Sequence, residues 1–124
     1  MELKFYICEH CGNIITKVDD KGVPVMCCGQ KMTELVPGTT DAATEKHVPV
    51  YSIENSEVTV QVGSVIHPMT EEHYIQWIAL QTKQGIQLKY LQPNTDPKAT
   101  FALCDGDEVV KVFAYCNLHG LWSA

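Results

Sequence analysis

Two adjacent cysteines, Cys27 and Cys28, and a Cys8-Glu9-His10-Cys11-Gly12 knuckle all fall within the first 36 residues. A segment this short cannot bury a sizeable core alone. Below about 40 residues a metal, disulfides or oligomerisation is usually required. The cysteines are therefore needed for stability, whatever else they do. Neighbouring Cα atoms lie only about 3.8 Å apart, whereas disulfides usually want roughly 4.4–6.8 Å. A bridge between Cys27 and Cys28 would be strained. A metal ion tolerates the short spacing if the sulfurs spread unevenly, so the expectation is a distorted tetrahedral four-sulfur site. Gly12 supplies backbone freedom just after the second ligand of the knuckle. A structural zinc knuckle accounts for the same spacing, because tetrahedral sulfur suits zinc and iron alike. His10, inside a knuckle that already has four thiols to draw on, reads as solvent-facing or supporting.

The remainder of the chain reads as β-structure. Glu57–Val62 alternates polar and apolar residues, the period of a half-buried strand. Val48–Glu54, Tyr74–Thr82, Ile86–Leu91, Thr100–Leu103 and Glu108–Tyr115 are rich in β-branched and aromatic residues. Asn55-Ser56, Gln84-Gly85, Pro93 to Pro97 and Asp105-Gly106 punctuate them, the last pair a hairpin signal. Six or seven short strands at this spacing predict an all-β sandwich. No helix-period segment of ordinary length is evident. Residues 37–46 lack apolar periodicity and read as a connector that ends at the first residues of a second site. The expected organisation is a four-cysteine module over 1–36 and a β domain over 37–124.

All nine basic residues are Lys and the net charge is −6. An acidic chain without Arg is a poor candidate for nucleic acid, which demands a basic face. No stretch approaches the roughly 18 apolar residues of a membrane helix. Met1-Glu2-Leu3-Lys4-Phe5 shows no signal-peptide pattern, so the chain is expected to be cytoplasmic. Six cysteines in that compartment favour metal over disulfides.

Four of the five histidines follow the connector, each at a predicted strand edge or in a loop. They are His47, His67, His73 and His119, the last in a Cys116-Asn117-Leu118-His119 turn. Strand ends of one sandwich can converge on a point, so ligands distant in sequence can meet. Four imidazoles and a thiolate exceed the four ligands of ordinary zinc and suit iron or copper. Five protein ligands around a six-coordinate ion leave one open position, the mark of a reactive centre. Trp77, Trp122 and Tyr115 read as packing residues. Cys104 is left over, and free cysteine is often a small buried hydrophobe.

These motifs together resemble the superoxide reductases, specifically the two-iron desulfoferrodoxins. Residues 1–36 are similar to the desulforedoxin module. Residues 37–124 are similar to the neelaredoxin-type catalytic domain through Glu45-Lys46-His47-Val48-Pro49, Gly63-Ser64-Val65-Ile66-His67-Pro68-Met69, His73-Tyr74-Ile75-Gln76-Trp77 and Cys116-Asn117-Leu118-His119-Gly120-Leu121-Trp122. The resemblance implies an immunoglobulin-like sandwich and reduction of superoxide to hydrogen peroxide. It implies iron held equatorially by His47, His67, His73 and His119 with Cys116 axial, and a second iron held by Cys8, Cys11, Cys27 and Cys28. It places the family's Glu-Lys pair on Glu45 and Lys46. It also implies a homodimer and rubredoxin, or a similar small carrier, as electron donor.

Overall fold

The computed structural model describes residues 2–124. It divides into two compact units, Met1–Val36 and Pro37–Ala124. Among the described residues no helix is long and apolar enough to cross a membrane.

The first unit contains β1 (Phe5–Ile7), β2 (Ile14–Thr16), β3 (Met26–Cys27), β4 (Gln30–Lys31) and β5 (Thr33–Leu35). β1 is the middle strand of an antiparallel sheet ordered β2-β1-β5, and β3 pairs with β4 as a separate ribbon. Cys8, Cys11 and Cys28 lie in turns or at their edges, and Cys27 closes β3. The knuckle joins β1 to β2, closed by hydrogen bonds from Gly12 N to Cys8 O and from Cys8 N to Asn13 O. Cys28-Gly29 forms the two-residue link of the β3–β4 hairpin. Its φ values of 50° and 74° are the left-handed pair that a tight primed turn demands. Gly29 takes that conformation freely, while Cys28 does so at a cost that side chains other than Asn and Asp rarely accept. The uneven spread expected of adjacent thiolates is thus achieved in the backbone.

The second unit opens with one helical turn, α1 (Thr44–His47), inside what reads from sequence as connector. Seven strands follow: β6 (Pro49–Glu54), β7 (Glu57–Val62), β8 (Ile75–Thr82), β9 (Ile86–Tyr90), β10 (Lys98–Ala102), β11 (Val109–Cys116) and β12 (Gly120–Ser123). They form two antiparallel sheets, ordered β10-β7-β6 and β12-β11-β8-β9. Alternate residues of β7 (Val58, Val60 and Val62) join Phe101, Ile78, Leu80, Val112 and Ala114 in one core between the sheets. The all-β sandwich predicted from the strand pattern is therefore present. β8 and β11 depart from alternation because both faces are withdrawn from solvent over most of their length. On the face turned away from the core, Trp77 stacks on Tyr115 at 5.4 Å.

Two expectations need correction. Asp105-Gly106 makes a turn, with Gly106 at φ 85° and Asp107 N donating to Cys104 O, but no hairpin. β10 pairs with β7 while β11 pairs with β8, so the turn carries the chain from one sheet to the other. Turn chemistry is local and does not determine which edge the next strand joins. Cys104, in that turn, is exposed rather than a buried hydrophobe.

Phe101 is 1% exposed at the centre of the core. Phe101→Ala should destabilise the sandwich by about 3–5 kcal/mol. Urea unfolding should show a lower midpoint with an unchanged slope.

Candidate metal centres

The antiparallel order brings the C-terminal ends of β7 and β11 to the same end of the sandwich as the N-terminal ends of β6, β8 and β12. His47 closes α1 just before β6. His67 follows the loop after β7, and His73 precedes β8. Cys116 is the last residue of β11, and His119 lies in the turn before β12. The β11–β8 register shifts between Tyr115 and Cys116, a local irregularity that re-aims side chains beside sites.

Donor atoms of His47, His67, His73 and Cys116 all lie within 4.8 Å of one another. His119 completes the set: its Nδ1 is 3.2 Å from His47 Nε2 and 3.9 Å from Cys116 Sγ. Ring centroids run 4.6 Å from His47 to His67, 4.7 Å from His67 to His73, 5.0 Å from His73 to His119 and 4.9 Å from His119 back to His47. The His47–His73 diagonal is longer, 6.4 Å. The four imidazoles therefore form a square with His47 opposite His73. Cys116 Sγ lies near the donor nitrogens of all four rings.

Hydrogen bonds decide which nitrogen each ring offers. His47 Nδ1 is 2.7 Å from Ala43 O, and His67 Nδ1 is 2.6 Å from Pro68 O. A carbonyl only accepts, so both Nδ1 atoms carry the proton and both Nε2 lone pairs face inward. Those lone pairs nonetheless sit 3.1 Å apart. His73 Nε2 is buried with no hydrogen-bond partner. Converging lone pairs repel one another unless a cation lies between them. Nitrogens at right angles about 2.1 Å from a first-row ion would be about 3.0 Å apart, close to the separations found. The residues thus fit a metal ion.

Burial works in the same direction. It pushes His67 down to about 4, helped by the neighbouring histidines and opposed by the Pro68 carbonyl. It also lowers His47 and His73. The rings stay neutral, the form that binds metal. Burial raises the Cys116 thiol, while the N–H groups of Leu118 and His119 pull it down.

Trp122 contributes what the motif alone did not reveal. Its Nε1–H donates to His119 O at 2.9 Å, and its ring lies 5.0 Å from that of His47. It supports two corners of the square as well as packing. Asn117 ties the ligand loops together, accepting from Tyr74 N and donating to Glu72 O. Glu45 and Lys46 are exposed on α1. Lys46 lowers both His47 and His73 through its charge.

In the first unit the sulfurs of Cys8, Cys11, Cys27 and Cys28 also lie within 4.8 Å of one another. Cys11 Sγ and Cys27 Sγ are 3.6 Å apart. Cys8 is lowered to about 6, chiefly by the N–H of Cys11, whereas Cys28 is pushed up to about 12 by its contacts with Cys11 and Cys8. Without a cation such a cluster resists a full set of thiolates. His10 is exposed and outside the group.

A β-sandwich that gathers four histidines and a cysteine at one end, in a chain that also carries a four-thiol unit, is a protein with two groups of side chains fit to hold a metal ion. The desulfoferrodoxin family model matches residues 39–124, and the chain belongs to that family. It is 46% identical to the desulfoferrodoxin of Syntrophotalea carbinolica, covering 99% of this chain and 96% of that one. It is 43% identical to the desulfoferrodoxin of Nitratidesulfovibrio vulgaris, with 99% and 96% covered. Its structure resembles the superoxide reductase of Treponema pallidum, with a TM-score of 0.85, 44% identity and coverage of 100% and 99%.

Burial of His67 sets a pH dependence for the metal-free protein. The ordinary histidine value is 6.5 and the folded value about 4. Between them the unfolded chain binds a proton that the folded chain does not, so stability falls as pH falls through this window. Thermal unfolding of metal-free protein should show a midpoint that declines from pH 6.5 to pH 4. His67→Gln should flatten the decline.

Proposed function

We propose that this chain is a superoxide reductase, consuming one superoxide anion, one electron and two protons for each hydrogen peroxide released. The square of four imidazoles under one thiolate carries the reading. The superoxide reductase of Treponema pallidum matches the whole chain, and the one-iron superoxide reductase of Giardia intestinalis matches 64% of it at 35% identity with a TM-score of 0.56.

Iron is the ion we assign to both centres. His47, His67, His73, His119 and Cys116 would hold one ion, and Cys8, Cys11, Cys27 and Cys28 the other. Square nitrogen with an added thiolate exceeds the tetrahedral set of structural zinc and leaves one side open. Ferrous iron bound there supplies the electron that superoxide accepts.

The protein's own groups set the conditions. The carbonyls of Ala43 and Pro68 hold protons on Nδ1 of His47 and His67, so both rings face the ion as neutral donors. The Cys116 sulfur, steadied by two backbone N–H groups, would donate electron density to the ion. Lys46 offers a positive charge at the histidines to an anionic substrate. Glu45, its neighbour, would supply a further carboxylate ligand to the oxidised ion. Solvent delivers the protons. The four-thiol centre stabilises a unit too small to fold on apolar burial alone, and we assign it a second role as an electron relay. A small carrier protein of the rubredoxin type restores the electron. The protein works as a homodimer in the cytoplasm.

The reaction class is tested by its products. Superoxide supplied to pre-reduced protein should yield peroxide without dioxygen, whereas dismutation would return dioxygen. Metal analysis should find two irons per chain, one for each donor group.

A chain of net charge −6 repels an anionic substrate on average, so fast encounter needs a local positive field. Lys46→Ile should lower the second-order rate with superoxide roughly tenfold and leave the iron spectrum nearly unchanged. The rate should also become less sensitive to salt, because screening acts on the charge removed. Pulse radiolysis at several ionic strengths checks both; an unchanged rate at low salt returns Lys46 to the ordinary solvated surface.

A further inference from the structure

The segment bearing Glu45 and Lys46 is a single exposed helical turn. Its N-cap, Ala43, makes no side-chain capping bond. A turn this short does not hold itself together, yet two groups assigned to the reaction stand on it. What fixes it is the loop after β7. Val65 N donates to Glu45 O at 2.9 Å. Ser64 Oγ donates to the same oxygen at 3.2 Å. Both lone pairs of the Glu45 carbonyl are therefore taken by one loop.

That loop is itself anchored. His67 N donates to Val62 O, and Gln61 Nε2 donates to Gly63 O at 3.0 Å. Gly63 is where the two segments touch. A Cβ built there would lie 2.7 Å from Glu45 O, 2.9 Å from Lys46 C and 2.9 Å from Val48 O. These are backbone atoms, which no rotamer change can move aside. Any other residue at 63 must push the turn away from the strand end.

We propose that Gly63 and Ser64 are positioning residues for Glu45 and Lys46. The loop clamps the main chain of the turn, so the two side chains start from a fixed point beside the histidine square. The same loop ends in His67, so one short segment sets both a corner of the square and the charged pair next to it. This inference rests on the superoxide reductase reading for the roles of Glu45 and Lys46. The clamp itself is a separate, measurable contact.

The test uses full-length, iron-loaded protein carrying Ser64→Ala, Ser64→Thr or Gly63→Ala. Ser64 is exposed, so its alanine variant keeps the fold even if Gly63→Ala does not. Hydrogen exchange at the Val65 amide should quicken in Ser64→Ala by roughly three- to tenfold, the factor one hydrogen bond supports. It should return to the parent value in Ser64→Thr, which restores the hydroxyl. Iron content and the thiolate absorption should stay at parent levels. The ferric spectrum should move toward that of Glu45→Ala, and Glu45→Ala should change it less in the Ser64→Ala background than in the parent. Parent-like exchange at Val65 in Ser64→Ala overturns the clamp. Faster exchange with additive spectral effects of the two substitutions overturns the positioning role. If Glu45→Ala alone leaves the ferric spectrum unchanged, the ligand role of Glu45 fails. The proposal is then decided on Lys46, by whether Ser64→Ala reduces the salt dependence of the superoxide rate as Lys46→Ile does.

Discussion

The end of the sandwich that carries the histidines is organised around a repulsion. His47 and His67 each give their Nδ1 proton to a backbone carbonyl, which leaves two bare nitrogens 3.1 Å apart. A protein without a cation there would relieve this by rotating a ring or protonating one nitrogen. Burial blocks both routes. His47 and His67 are 3% and 1% exposed, and a buried imidazolium is disfavoured by desolvation. The ligand loops, the Trp122 brace and the Asn117 ties all hold an arrangement that only a bound ion makes favourable. Metal binding here would be coupled to folding, and Cys116 belongs both to the site and to the core between the sheets.

The first unit meets the same problem with opposite means. Its strands of two or three residues offer little to bury, and the four sulfurs gather from the knuckle and the β3–β4 hairpin. Cys28 adopts a left-handed backbone, at φ 50°, to bring its thiol round beside that of Cys27. Strain of this kind persists only where the surroundings over-determine it. In the sandwich, a large apolar core supports a site that repels itself. In the small unit the site supports the fold.

Much of this was legible from sequence, for definite reasons. The strict alternation of Glu57–Val62 gave β7 at its observed bounds, since one face meets the core and the other does not. The cysteine spacing located the four-sulfur centre, because only turns place C-x-x-C thiols together. The remaining difficulties were matters of tertiary context. β12 escaped notice because Gly120–Ser123 is four residues long and follows directly on a ligand turn. Asp105-Gly106 signalled a turn, with only Gly106 left-handed, but the strand it leads into joins the other sheet. The square order of the histidines is invisible to spacing, since His47 and His73 are opposite each other while His47 and His119, 72 residues apart, are neighbours. The carbonyls that fix the tautomers leave no trace in side-chain chemistry.

The choice of donor also explains how an acidic chain can present an attractive site to an anion. Carboxylate ligands would neutralise a divalent ion and extend the negative field of the chain to the open side. Imidazoles carry no charge when burial keeps them neutral, and one thiolate cancels only part of the ion's charge. A divalent ion held there would therefore keep the centre net positive within a protein of net charge −6. Lys46 adds to that local field, and its charge is felt at two histidines of the square. Glu45 carries the opposite sign at the adjacent position, so the field beside the histidines would depend on where one turn of backbone holds the two side chains. Displacing that turn would change the local field without changing a single charge, and the contact between Gly63 and the Glu45 carbonyl would then be electrostatic in consequence although it is steric in origin.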